Sequence, residues 1–152
     1  MKKVKKIISS ILIFITVLYF PMVVEATENE RIINEAKIYL QNSTPIELNS
    51  LSRAGTDTFN KSIFRAANIS IRRSSVNSGI TLNITQNSDY NVAVCIFTSD
   101  AQTVIGETKY VYPDTFESLN WSAYELGDTR DVLVFITCYK DVTYRVWGSI
   151  TY

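Results

Sequence analysis

Two strand-length runs in the sequence are apolar on both of their faces. In "YNVAVCIFT", residues 90–98, Val92, Val94 and Ile96 oppose Ala93, Cys95 and Phe97. In "DVLVFITCY", residues 131–139, Val132, Val134 and Ile136 oppose Leu133 and Phe135. Side chains alternate along a strand, so a strand with one wet face needs apolar residues only at every second position. These two are therefore expected to be central strands with both faces covered. "ITLNIT" alternates instead, setting Ile80, Leu82 and Ile84 against Thr81, Asn83 and Thr85, and "QTVIGETKYVY" and "VTYRVWGSITY" are further strands. The polar breaks "SD", "YPDT", "ELGDTR" and "KD" separate them. Short strands at this spacing indicate an all-β fold, an antiparallel, jelly-roll-like β-sandwich. "FESLNW" reads equally as a strand or a loop.

One helix is expected, in "TENERIINEAKIYLQ". Thr27 and Glu30 stand at capping-box spacing, Ile32, Ala36, Tyr39 and Leu40 fall on one helical stripe, and Pro45 ends the segment. Its apolar stripe is the economical cover for the second face of the central strands. A pro-segment or a partner-binding arm is the alternative.

Ahead of the helix, Lys2, Lys3, Lys5 and Lys6 precede the apolar run Ile11 to Phe20, followed by small residues up to Ala26. That order is a secretory signal peptide, with cleavage expected after Ala26. The alternative is an uncleaved anchor over Ile7 to Val24. The chain then divides into a signal peptide (1–26), a helix and linker (27–45) and a sandwich domain (46–152). Removing the leader's four lysines and Glu25 from 15 basic and 15 acidic residues leaves 11 against 14. An acidic chain without a basic stripe excludes nucleic acid as a partner. No cysteine lies just after the cleavage point to accept a lipid, so a secreted or periplasmic protein without stable membrane insertion is expected.

The end of the chain, "VFITCYKDVTYRVW", reads as two strands around Lys140 and Asp141. Paired as a hairpin, Leu133, Phe135, Thr137 and Tyr139 share the core face with Val142, Tyr144, Val146 and Ile150. Val134, Ile136 and Cys138 then lie beside Thr143, Arg145, Trp147 and Ser149 on the other face, with Trp147 opposite Val134. Trp147 either shields the sheet or, with Arg145, forms a ligand platform of flat indole and directional guanidinium.

Cys95 and Cys138 are the two cysteines. In an exported chain they are expected to pair, closing a loop of about 43 residues worth ~4 kcal/mol on the chain-entropy model; two buried free thiols are the alternative. A bridge between sheets requires Cys138 on the core face, whereas a bridge between neighbouring strands leaves the hairpin assignment intact.

The chain holds no histidine, which removes Ser-His-Asp and Cys-His catalysis and most zinc sites. No nucleophile-elbow or phosphate-loop pattern occurs. The acidic groups Asp114, Glu117, Glu125, Asp128 and Asp131 fall in turns, with a weak calcium site at Asp128 and Asp131 the metal reading and backbone turn chemistry the plainer one. No enzyme, cofactor or metal is expected.

From Gly79 onward the sequence resembles the pre-peptidase C-terminal domains of secreted bacterial peptidases. Asp89 and Tyr90 open a strand, Val104 stands in a "VIGET" strand, and the chain closes with an alternating strand at Tyr144 to Val146. The resemblance covers about half of the mature chain and implies a jelly-roll-like sandwich with a role in secretion or substrate attachment. The reading that follows is a secreted, non-catalytic binding module for a protein or glycan ligand, with Arg145 and Trp147 as its contact surface. A subunit that assembles through sheet edges or faces, or an exported toxin or inhibitor, is the alternative.

Overall fold

The computed structural model describes residues 28–48, 55–73 and 75–152. The expected signal peptide, its expected cleavage point and the expected helix cap at Thr27 lie outside these residues. The chain divides into two compact units, Met1–Glu35 and Ala36–Tyr152. The described part of the first, 28–35, is helical, and the second opens with 36–42 of the same helix, α1 (28–42).

The second unit is an antiparallel β-sandwich, as the strand spacing predicts. Its strands are β1 (Ile46–Glu47), β2 (Thr56–Phe64), β3 (Ala66–Arg72), β4 (Ile80–Gln86), β5 (Val92–Thr98), β6 (Val104–Val111), β7 (Phe116–Trp121), β8 (Asp131–Thr137) and β9 (Thr143–Thr151). One sheet has the order β1-β3-β8-β5-β6 and the other β2-β9-β4-β7; every pairing is antiparallel except the short β1–β3 contact. "FESLNW" is the edge strand β7.

Between the sheets, Ile69, Ile71, Val92, Val94, Ile96, Val132, Val134 and Ile136 meet Phe59, Ile63, Leu82, Ile84, Trp121, Tyr144, Val146 and Ile150. Each such side chain, fully buried, contributes roughly 1.5–3 kcal/mol of transfer free energy. As expected from their composition, β5 and β8 are central and buried on both faces. On the outer side of β8, the Tyr39 ring of α1 lies 5.5 Å from the Phe135 ring, and the Tyr39 hydroxyl donates to the Ala66 carbonyl at 2.8 Å. The 36–42 part of α1 thus supplies the second cover that Phe135 requires.

Strands β8 and β9 do not form a hairpin. β8 pairs with β3 and β5, while β9 pairs with β2 and β4 in the opposite sheet. The reason is compositional: a strand apolar on both faces belongs in the covered sheet, and a strictly alternating one belongs where one face meets water. The chain crosses between sheets over 138–142, where Tyr139 takes a left-handed conformation (φ 58°). A second crossing lies against it, because Arg65 alone links β2 to β3, also left-handed at φ 60°. Arg65 donates its N–H to the Val142 carbonyl (3.0 Å), and its own carbonyl accepts from Cys138 N–H (3.3 Å), the Thr137 hydroxyl (3.0 Å) and the Tyr144 hydroxyl (3.4 Å).

The face assignment is therefore correct for β9 and inverted for β8. Val132, Val134, Ile136 and Cys138 face the inter-sheet core, while Leu133 and Phe135 face outward beneath their cover.

The expected Cys95–Cys138 bridge is not formed: both cysteines are free and buried. Cys138 belongs to the inter-sheet core, whereas Cys95 alternates with the core residues Val94 and Ile96 and so faces the other side of the same sheet. The register, Ala93 opposite Thr137 and Cys95 opposite Phe135, also offsets the two by three residues, about 10 Å along the strand. Disulfide geometry tolerates neither displacement. Burial pushes the Cys95 thiol up to about 11, against a hydrogen bond to the Thr108 hydroxyl.

Candidate functional site: the outer face of the second sheet

Pairing fixes what lies beside Arg145 and Trp147. Trp147 stands between Asn60 of β2 and Thr85 of β4, and Thr85 in turn pairs with Phe116 of β7. Asn60, Trp147, Thr85 and Phe116 therefore form one row across four strands, all pointing away from the core. Two strand spacings, about 10 Å, separate the indole from the Phe116 ring. Trp147 is 37% exposed and Phe116 66%. The two rings are flat apolar surfaces on one side of a sheet, with a threonine between them.

The neighbouring rows are polar and short. Thr58, Ser149, Asn83 and Ser118 make one, and Thr56, Thr151, Thr81 and Asn120 the next. Their side chains hydrogen-bond sideways: Thr81 Oγ1 to Asn120 Oδ1 at 2.8 Å, Asn83 Nδ2 to Ser149 Oγ at 3.4 Å, and Thr56 Oγ1 with Thr151 Oγ1 at 3.1 Å. Such contacts fix the orientation of hydroxyl and amide groups in the rows beside the aromatic one. Arg145 stands one row beyond Trp147 on the same strand, paired with Ser62. Its backbone N–H donates to Asn87 Oδ1 at 2.7 Å and its Nε to Asn60 Oδ1 at 2.6 Å.

Arg145 and Trp147, expected on one exposed face, do share one. Their surroundings differ from expectation: Val134, expected opposite Trp147, lies in the other sheet, and the true neighbours come from β2 and β4. Phe116 is the residue that sequence reasoning missed. The signal was present in the alternation of Phe116, Ser118 and Asn120 with Leu119 and Trp121 once "FESLNW" is taken as a strand.

The strand positions on this face carry no carboxylate, so it lacks the acid pair that glycoside hydrolysis employs. Of the acids expected in turns, Asp131 instead opens β8, 3.8 Å from Arg72, and Glu125 lies on the short helix α2 (Ala123–Leu126), where it closes a capping box with Ser122. Those Ser122 hydrogen bonds hold the Glu125 carboxyl below its ordinary value. Among the described residues no three His, Cys, Asp or Glu side chains gather around a common point, and no helix is long and apolar enough to cross a membrane.

No family model matches the chain, and no curated protein matches it in sequence. Among solved structures, it is similar to the pre-peptidase C-terminal domain of collagenase from Bacillus anthracis, with a TM-score of 0.48 and 12% identity over 71% of this chain and 93% of that one. A family 29 carbohydrate-binding module is similar with a TM-score of 0.39 and 13% identity, over 69% of this chain and 83% of that one. These are distant likenesses at the level of fold.

Proposed function

We propose that the chain is an exported, non-catalytic module that binds an extended saccharide across the outer face of the β2-β9-β4-β7 sheet. One observation carries this: the row Asn60, Trp147, Thr85, Phe116, in which two exposed rings flank the Thr85 hydroxyl and the Asn60 amide lies beyond the indole. Sugar rings present an apolar face of C–H groups and a rim of hydroxyls. An aromatic ring matches the first, and fixed amide and hydroxyl groups match the second. The spacing of about 10 Å exceeds one pyranose ring, which suits a chain lying across the strands rather than a single sugar.

Affinity electrophoresis in gels containing soluble polysaccharides, with pull-down on insoluble ones, tests the proposal. Retardation is expected with at least one polymer. Trp147→Ala and Phe116→Ala are each expected to weaken it about tenfold without altering thermal unfolding. Unchanged binding in both variants would remove this face as the site. Export is tested separately by mass spectrometry of the released protein, where a mature N-terminus at Thr27 is expected.

A further inference from the structure

We infer that the saccharide carries carboxylate groups and that Arg145 reads them, which rests on the proposed function above. Among the strand positions of the outer face, Arg145 is the one charged residue in an array of threonine, serine, asparagine and aromatic side chains. Its hydrogen bonds could serve any polymer with hydroxyls, but its charge finds a match only in an anionic one. No described residue forms an ion pair with Arg145, whereas Arg65 and Arg72 face Asp141 and Asp131 at 3.2 and 3.8 Å.

The guanidinium is also aimed. Asn60, which accepts from its Nε at 2.6 Å, is the direct cross-strand neighbour of Trp147. The hydrogen bond therefore draws the charged head toward the indole row. The Nη groups donate to no described residue and remain for a ligand. A planar guanidinium anchored at Nε presents its two Nη groups as a fork, which matches the two oxygens of a carboxylate. Arg145 and Trp147 are two residues apart on one strand, about 7 Å. That places the fork within reach of an exocyclic carboxylate on the sugar ring stacked over the indole, or on its neighbour. The ligand class is a polyuronate.

The test uses the full exported chain in affinity gels containing polygalacturonate, alginate or hyaluronan, with hydroxyethylcellulose as a neutral polymer and dextran sulfate as a polyanion without carboxylate. Retardation by at least one polyuronate is expected. Chemical reduction of that polymer's carboxyl groups to alcohols is expected to weaken it at least about tenfold, as is Arg145→Ala. Arg145→Lys, which keeps the charge and loses the fork, is expected to restore only part of the affinity. Circular dichroism and thermal unfolding confirm that the variants are folded.

Equal binding to the carboxyl-reduced polymer, or undiminished binding by Arg145→Ala, overturns the inference. So does dextran sulfate binding as tightly as the polyuronate, since that marks general attraction to polyanions. If neutral polymers alone are bound, through Trp147, the carboxylate reading falls and the saccharide-binding reading stands. If no polymer retards the protein, both fall.

Discussion

Arg73 donates five hydrogen bonds to the backbone carbonyls of Val76, Ser78, Gly127 and Thr129, and it is 1% exposed. It ties the turn before β4 to the turn after α2, and its own N–H completes the link at the Arg130 carbonyl (2.9 Å). Removing the guanidinium leaves those part-buried carbonyls without their donors. Arg73→Met is expected to cost at least about 3 kcal/mol in denaturant unfolding. The adjacent Arg72 projects to solvent, with its side chain 75% exposed, so Arg72→Ala is the near-neutral control. The alternation of a strand shows that the two point apart, but not which one is inside: a buried arginine looks like any other arginine until its carbonyl partners, 54 and 56 residues away in the chain, are placed.

Tyr152 gives a residue-level pH dependence. Its hydroxyl donates to Asp57 at 2.5 Å, and that hydrogen bond, with burial and the carboxylate charge, pushes the phenol from 10.0 to about 12. A group raised in the folded state stabilises fully below its unfolded value. That contribution is expected to be present below about pH 10 and lost as pH rises through about 12. Chemical denaturation between pH 9 and about 12 should show the decline, and Tyr152→Phe should flatten it.

At the level of elements, residues apolar on both faces identified β5 and β8 as central, and alternation identified β4 and β9. β2 carries no such signal, because its alternate positions mix Asp57 and Lys61 with Phe59 and Ile63, and Asp57 is satisfied by the distant Tyr152 hydroxyl. A short turn between two strands suggests a hairpin for β8 and β9, whereas the chain crosses between the sheets there, with left-handed residues at Arg65 and Tyr139. The cysteines follow from that geometry. Thiol titration without reductant is expected to find no rapidly reacting thiol in the native protein and two after denaturation; finding none after denaturation would mean a bridge. Gly148 illustrates how closely β9 is held: a Cβ there would lie 1.9 Å from the Asn83 carbonyl oxygen. Gly148→Ala is expected to cost about 3 kcal/mol or more by thermal or denaturant unfolding, since the obstacle is backbone.

The whole sandwich depends on partners distant in the chain. β9 lies between β2 and β4 and joins them, so a sheet begun at residue 56 is incomplete until residues 143–151 arrive. Deleting 143–152 is expected to abolish cooperative unfolding altogether, rather than to lower its midpoint. Folding should be slow for the chain's size, in milliseconds to seconds, because non-local pairings dominate.

The β2–β9 pairing also sets how the sandwich bears load. Gly55 accepts a hydrogen bond from the Tyr152 N–H at 2.7 Å, so the first residue before β2 and the last after β9 sit side by side at one end of an antiparallel pair. Tension applied between them acts across the hydrogen bonds at that end and opens them one after another, like a zipper. A module pulled by these two points should yield at low force, whereas one held by a ligand on the face that β9 shares with its neighbours is loaded through four strands at once.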